Sequence, residues 1–177
     1  MNRSDADAGV PTAIIVMGVS GSGKSTLGAL LARALHCPFL EGDDFHDAAA
    51  VAKMRAGHAL VDDDRWPWLD RLGQALGETA AASGCAVATC SALRRSYRQR
   101  LIDATGEGTR FVLLDADRDE LLRRVSDRPG HYMPPSLLDS QLDTLERPGS
   151  EERVLALPSC ATPTELCELT VEWLRRS

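Results

Sequence analysis

Aromatic side chains are scarce, at 5% of 177 residues, so any core must rest on Leu, Val, Ile and Ala. A chain of this length still buries about two-thirds of its unfolded surface, so no metal or disulfide staple is required. Cysteine offers none: Cys37, Cys85, Cys90, Cys160 and Cys167 are odd in number and include no Cys-x-x-Cys pair, the pattern of reduced thiols in a cytoplasmic protein. Basic charge is not in excess. Against 26 Asp+Glu stand 20 Lys+Arg, giving −6, which argues against a surface that grips nucleic acid or an anionic membrane; an anionic ligand needs a local cluster. No run is apolar enough for a membrane span, since the longest uncharged stretch, residues 8–23, is interrupted by Pro11 and by several glycines and serines. Residues 1–9 lack the apolar segment of a secretory signal and read as a disordered tail, leaving 10–177 as one domain. Asparagine is confined to Asn2.

What is present alternates short apolar runs with longer helical patterns, the signature of a parallel α/β sheet. Residues 13–17 form a continuous apolar run ending in glycine, as in a central strand covered on both faces. Leu27, Leu30, Leu31, Ala34 and Leu35 then recur at helical spacing. Further strands are expected at 38–41, 85–90, 111–114 and 154–157, with helices at 47–56, stopped by Gly57, and at 68–82, stopped by Gly84. Thr162-Pro163-Thr164-Glu165 is a helix start in which Glu165 bonds back to the capping residue; the buried face that follows is expected to hold Leu166, Leu169, Thr170 or Val171, and Trp173. Residues 128–150, with four prolines and two glycines, read as a mobile flap rather than a packed element.

Gly18-Val19-Ser20-Gly21-Ser22-Gly23-Lys24-Ser25 fits G-x-x-x-x-G-K-[ST] at every fixed position and lies between strand and helix, where a phosphate cradle must sit. Glycines at 18, 21 and 23 let backbone N–H groups turn inward, and the helix that follows presents its positive end to phosphate. Lys24 would reach the β- and γ-phosphates of ATP, and Ser25 would ligate Mg²⁺. A GTPase would need an N-K-x-D guanine motif, which the lone Asn2 cannot supply. A motor normally carries an apolar strand ending in a metal-binding acid; the third strand ends at Thr89-Cys90-Ser91, while the fourth ends at Asp115.

Glu41-Gly42-Asp43-Asp44-Phe45-His46 follows the second strand at the ligand-binding edge of such a sheet. One of the carboxylates there, Asp43 among them, can hold a metal-bound water or accept a hydroxyl proton; a solvated acidic turn is the alternative. Asp62-Asp63-Asp64-Arg65-Trp66-Pro67-Trp68-Leu69 brings together acids, which can accept from a polyol, and a guanidinium, which can grip a carboxylate; an acidic helix start is the alternative, and Trp68 is read as core. Arg94 and Arg95 follow the third strand at the same edge. Arg124 and Arg128, four apart, share a helical face from which a lid could deliver them to ATP.

M-G-V-S-G-S-G-K-S at 17–25, E-G-D-D-F-H at 41–46, K-M at 53–54, D-D-D-R-x-P-W-L at 62–69, C-S-A-L at 90–93, Y-R at 97–98, R-P-G-H-Y at 128–132 and Q-L-x-T-L-E at 141–146 together resemble the bacterial-type gluconokinase family. The resemblance covers residues 12–176. It implies a P-loop, nucleoside-monophosphate-kinase-like three-layer α/β fold with a five-stranded parallel sheet and a lid near 128–150. It further implies ATP-dependent phosphorylation of D-gluconate, Mg²⁺ as cofactor and a homodimer. By the same resemblance, Gly18, Ser20, Gly21, Ser22, Gly23, Lys24, Ser25 and Thr26 would bind ATP and Mg²⁺, with Asp43 on the acceptor side. His46, Lys53, Arg65, His131 and Arg94 or Arg95 would line the gluconate pocket, and Arg124 and Arg128 would serve as lid arginines. Arg94 stands where the family commonly has Lys, and Tyr132 where Phe is usual. Another metabolite kinase of this fold, such as one for shikimate, and a non-catalytic ATP-binding protein are the alternatives.

Overall fold

The computed structural model of the protein describes residues 12–126 and 135–176. Strands β1 (Thr12–Met17), β2 (Phe39–Leu40), β3 (Cys85–Cys90), β4 (Arg110–Asp115) and β5 (Val154–Pro158) form one parallel sheet in the order β2-β3-β1-β4-β5. The continuous apolar run of β1 is explained by its place: it is central and covered on both faces. Ile14 and Val16 meet Leu27 and Leu31 of α1 (Lys24–Ala34) and Leu166 of α7 (Pro163–Arg176). Ala13, Ile15 and Met17 meet Trp68, Leu69, Leu72 and Leu76 of α3 (Asp62–Ser83) and Tyr97 and Leu101 of α4 (Arg95–Thr105). Trp68 is core, as its sequence context suggested. The two sides make three layers, and no helix among the described residues is long and apolar enough to cross a membrane. All five cysteines are free thiols.

Boundaries move where local chemistry was misjudged. Helix α3 begins at Asp62, not 68, because the Asp64 carboxylate accepts the Val61 N–H at 2.8 Å and so caps the start; Pro67 lies inside the helix. Asp47 caps α2 (Ala48–Arg55) through the Ala50 N–H at 2.8 Å. The Thr162–Glu165 box at α7 forms as expected, with Thr162 N–H to Glu165 Oε2 at 2.8 Å and Glu165 N–H to Thr162 Oγ1 at 3.3 Å. On α7 the buried residues are Leu166 and Thr170, whereas Leu169 falls off that stripe and is exposed. The absence of packed structure expected over 128–150 does not hold at 135–144. Helix α6 (Pro135–Thr144) buries Leu137 and Leu138, and Leu138 packs with Val19, Leu93 and Leu121 of α5 (Arg118–Ser126). Pro135 opens that helix, where a missing N–H costs nothing. Residues 127–134 and the tail lie outside the described residues.

Arg98 of α4 fixes the segment that follows β3. Its side chain is 1% exposed; Nε donates to Glu152 Oε2 at 2.5 Å, Nη2 to Glu152 Oε1 at 3.0 Å, and Nη1 to the carbonyls of Ala92 and Glu146 at 3.2 and 3.1 Å. Removing one partner of a buried, multiply bonded pair leaves the other uncompensated. Arg98→Met is therefore expected to lower unfolding free energy by about 3 kcal/mol in urea titrations at neutral pH. These hydrogen bonds hold the Glu152 carboxyl below the usual glutamate range. Glu152 thus titrates lower in the folded than in the unfolded chain, so its contribution is complete above the ordinary glutamate range and is lost as pH falls below it. The variant's stability should lack that part of the acid dependence.

Candidate active site

The carboxyl ends of β1 and β3 lie side by side, and the Gly18 N–H donates to the Ser91 carbonyl at 3.3 Å. From β1 the chain turns to one face of the sheet and from β3 to the other, which opens a crevice at this edge. Gly18 has φ 139°, and a Cβ there would lie 2.8 Å from the Leu114 carbonyl oxygen, so only glycine lets the loop lie against β4. Val19 is anchored in the cluster with Leu93, Leu121 and Leu138. Lys24 crosses the loop, its Nζ donating to the Val19 carbonyl at 3.0 Å. Ser25 and Thr26 are exposed on the first turn of α1, while the Ser22 hydroxyl is buried without a partner among the described residues. Gly21, Gly23 and Thr26 border a cleft closed on its far side by Arg124, Ser159 and Pro163; Arg124 Nη2 donates to the Ser159 carbonyl at 2.7 Å and pairs with Glu120.

A second cavity opens on the other side of the loop, bordered by Ser20 and Lys24, by Asp43 and His46, and by Arg65, Ser91 and Gln141. Asp43 and His46 are carried by a 3₁₀ turn, Gly42–Phe45, and its cap. Three contacts fix that turn. The Gly42 N–H donates to Thr89 Oγ1 at 3.0 Å, Trp68 Nε1 donates to the Gly42 carbonyl at 2.7 Å, and the His46 ring stacks on Trp68 at 4.2 Å and 18°. A Cβ on Gly42 would sit 1.9 Å from the Thr89 carbonyl oxygen, so the close approach demands glycine. Asp43 projects outward, its side chain 83% exposed, with Oδ1 4.0 Å from His46 Nε2. Burial outweighs the attraction of Asp43 and lowers the His46 pKa, so the imidazole is neutral at pH 7; its Nδ1 is buried without a partner among the described residues.

Arg65 is the buried cation of this cavity, which Lys24 also borders. It is 8% exposed, its Nε donates to the Leu60 carbonyl at 3.3 Å, and its guanidinium lies 5.6 Å from the Tyr97 ring centroid. Among the described residues no carboxylate pairs with it. A buried guanidinium in that condition is poised for an anion from outside the chain.

Comparisons with known proteins agree on the family. A family model described as an AAA domain matches residues 14–148. The gluconokinase of Gluconobacter oxydans is 45% identical over 160 residues, covering 89% of this chain and 88% of that protein. The thermosensitive gluconokinase of Escherichia coli is 38% identical over 167 residues, 92% and 89% of the two chains. The chain belongs to the gluconokinase family. The crystal structure of a gluconokinase from Sinorhizobium meliloti superposes with a TM-score of 0.85 at 43% identity, covering 94% and 93% of the chains. Shikimate kinase from Aquifex aeolicus, at 20% identity and a TM-score of 0.58, shares the fold.

Within this gluconokinase-family fold the residues singled out in the sequence divide into groups. Ser20, Lys24, Asp43, His46 and Arg65 border one cavity, and Gly21, Ser22, Gly23, Thr26 and Arg124 border the cleft across the loop. Lys53 turns elsewhere, to Asp64 at 2.5 Å, and this contact holds the Asp64 carboxyl below its usual range. Arg94 pairs with Asp62 at 3.1 Å in an outer recess it shares with Arg65 and Tyr97. Arg95 pairs with Glu151 at 2.9 Å and borders neither the cavity nor the cleft. Arg128 and His131 lie outside the described residues. Sequence reasoning gave no role to Ser91, His58 or Gln141, all of which border the acceptor-side cavity. Ser91 and Gln141 stand in the C-S-A-L and Q-L-x-T-L-E stretches, whose helical or strand-end positions were the available signal.

Proposed function

We propose that this protein transfers the γ-phosphoryl group of ATP to a hydroxyl of D-gluconate, giving 6-phospho-D-gluconate and ADP. The observation that carries the acceptor assignment is Arg65, a buried guanidinium without a carboxylate partner among the described residues, in the same cavity as Lys24 and Asp43. Gluconate offers the missing carboxylate and a chain of hydroxyls. The names of the relatives support the same assignment. ATP is bound along the loop, with its phosphates on the backbone amides that follow Ser20 and on Lys24 and its nucleoside toward the Arg124 cleft. Exposed oxygens on Ser25 and Asp43 suit a hard divalent cation. Ser25 and Asp43 would hold Mg²⁺, which would supply neutralisation of the phosphate charge. Asp43 accepts the proton of the attacking hydroxyl or holds a water of the ion. Neutral His46 places no charge in competition with Arg65. The family resemblance further supports a homodimer, and the free thiols a cytoplasmic location, both of which we include in the proposal.

Release of ADP measured across gluconate, glucose, shikimate and nucleoside monophosphates tests the assignment. Gluconate is expected to be strongly preferred over glucose, which has similar hydroxyls but no anion. Arg65→Ala should raise the KM for gluconate at least about tenfold and shrink the preference over glucose, while the KM for ATP stays nearly constant. Loss of ATP affinity with selectivity retained would move Arg65 to the nucleotide side.

A further inference from the structure

Gln141 of α6 touches the phosphate loop through a contact that fixes the sense of its amide. Its Oε1 accepts the Ser20 backbone N–H at 2.7 Å. A backbone N–H can only donate, so the amide cannot be reversed, and Nε2 is left as the uncommitted donor. Among the described residues nothing accepts from Nε2, although Gln141 borders the acceptor-side cavity with Arg65 and Asp43. The helix that carries it is fixed at two further points. Leu138, 1% exposed, packs on Val19 and Leu93, and Asp139 takes Arg118 of α5 in a two-point grip at 2.6 and 3.1 Å. A polyhydroxy acid presents oxygens that need donors as well as acceptors. Arg65 is the cavity's committed match for a carboxylate, and Asp43 when ionised only accepts.

We propose that Gln141 is a specificity-determining residue for the acceptor: Nε2 donates to an oxygen of the bound polyhydroxy acid while Oε1 remains on Ser20. The inference rests on the acceptor class proposed above and adds a residue to it. One side chain then ties the occupied acceptor cavity to the loop that holds the phosphates. The competing role is a brace for the loop with no part in recognition.

Glu and Leu substitutions separate the two roles. Gln141→Glu keeps an oxygen for the Ser20 N–H but removes the donor; Gln141→Leu removes both. We expect both variants to raise the KM for gluconate about tenfold, the worth of one hydrogen bond to a polar ligand, with the KM for ATP within about twofold of the wild type. Gln141→Glu matching the wild type while Gln141→Leu is impaired would make Gln141 a brace only and overturn the inference. A rise in the KM for ATP instead would assign the residue to the nucleotide and overturn it too. Thermal unfolding is followed in parallel; should Gln141→Leu fail to fold, Gln141→Glu, which retains the loop contact, decides alone. Absence of gluconate turnover by the wild type is a separate result, which withdraws the acceptor class itself.

Discussion

Replacing Lys24 with alanine is expected to lower kcat for gluconate phosphorylation at least about a hundredfold, the usual consequence of removing one electrostatic donor to a transition state. The side chain stands between the two ligand spaces. It crosses the loop to the Val19 carbonyl and borders the cavity that holds Asp43 and Arg65. In the proposed reaction its ammonium would meet the phosphoryl group in transit, where negative charge spreads over the phosphoryl oxygens and builds on the bridge oxygen of the departing ADP. The loop's shape rests on other contacts, the Val19 anchor and the close approach of Gly18 to Leu114. The thermal midpoint of Lys24→Ala should therefore stay near that of the wild type while turnover collapses. Near-normal turnover in this variant would end the assignment of a kinase.

Asp43→Asn should have an effect of similar size, about a hundredfold on kcat, with the KM for ATP little changed. The substitution preserves shape and, at 83% exposure, disturbs no packing. Its cost is chemical: an amide does not accept the hydroxyl proton and attracts the waters of a cation far more weakly. The backbone under residue 43 is held by Thr89 and Trp68 through Gly42, so geometry survives the change. Equal kcat for Asp43→Asn and the wild type at saturating ATP and gluconate would transfer the role, and the adjacent Asp44 would be the next to replace.

The phosphate loop was legible because its chemistry is written in backbone: glycine, lysine and hydroxyl at fixed spacing leave little else for the segment to be. β1 and β3 were legible for a related reason, since strands buried on both faces have no polar positions to confuse the pattern. Side-chain destinations were not. Lys53 sits beside the motif that suggested a substrate contact, yet an acid eleven positions along, Asp64, takes it. Arg94 and Arg95 are neighbours in sequence, but Arg94 caps α4 in an extended conformation and Arg95 is the helix's first residue, so the two diverge to Asp62 and Glu151. Prolines around 128–150 concealed α6, whose Leu138 packs against Val19 and Leu93, residues that the sheet brings near. Gln141 was hidden for the same reason, because its partner lies 121 positions away.

Of the described strands the one made first occupies the middle of the sheet, and this sets an order on biosynthesis. β1 leaves the ribosome with no neighbour on either edge; its partners β3 and β4 begin 73 and 98 residues later, at Cys85 and Arg110 against Thr12. Until both have been translated, the run of Ile14, Ile15 and Val16 keeps at least one unpaired edge, a condition in which chaperones capture nascent chains. The phosphate loop shares the delay, since Gly18 is shaped against Leu114. A nascent chain halted before β4 would contain every residue of the loop motif and still have no cradle for a nucleotide.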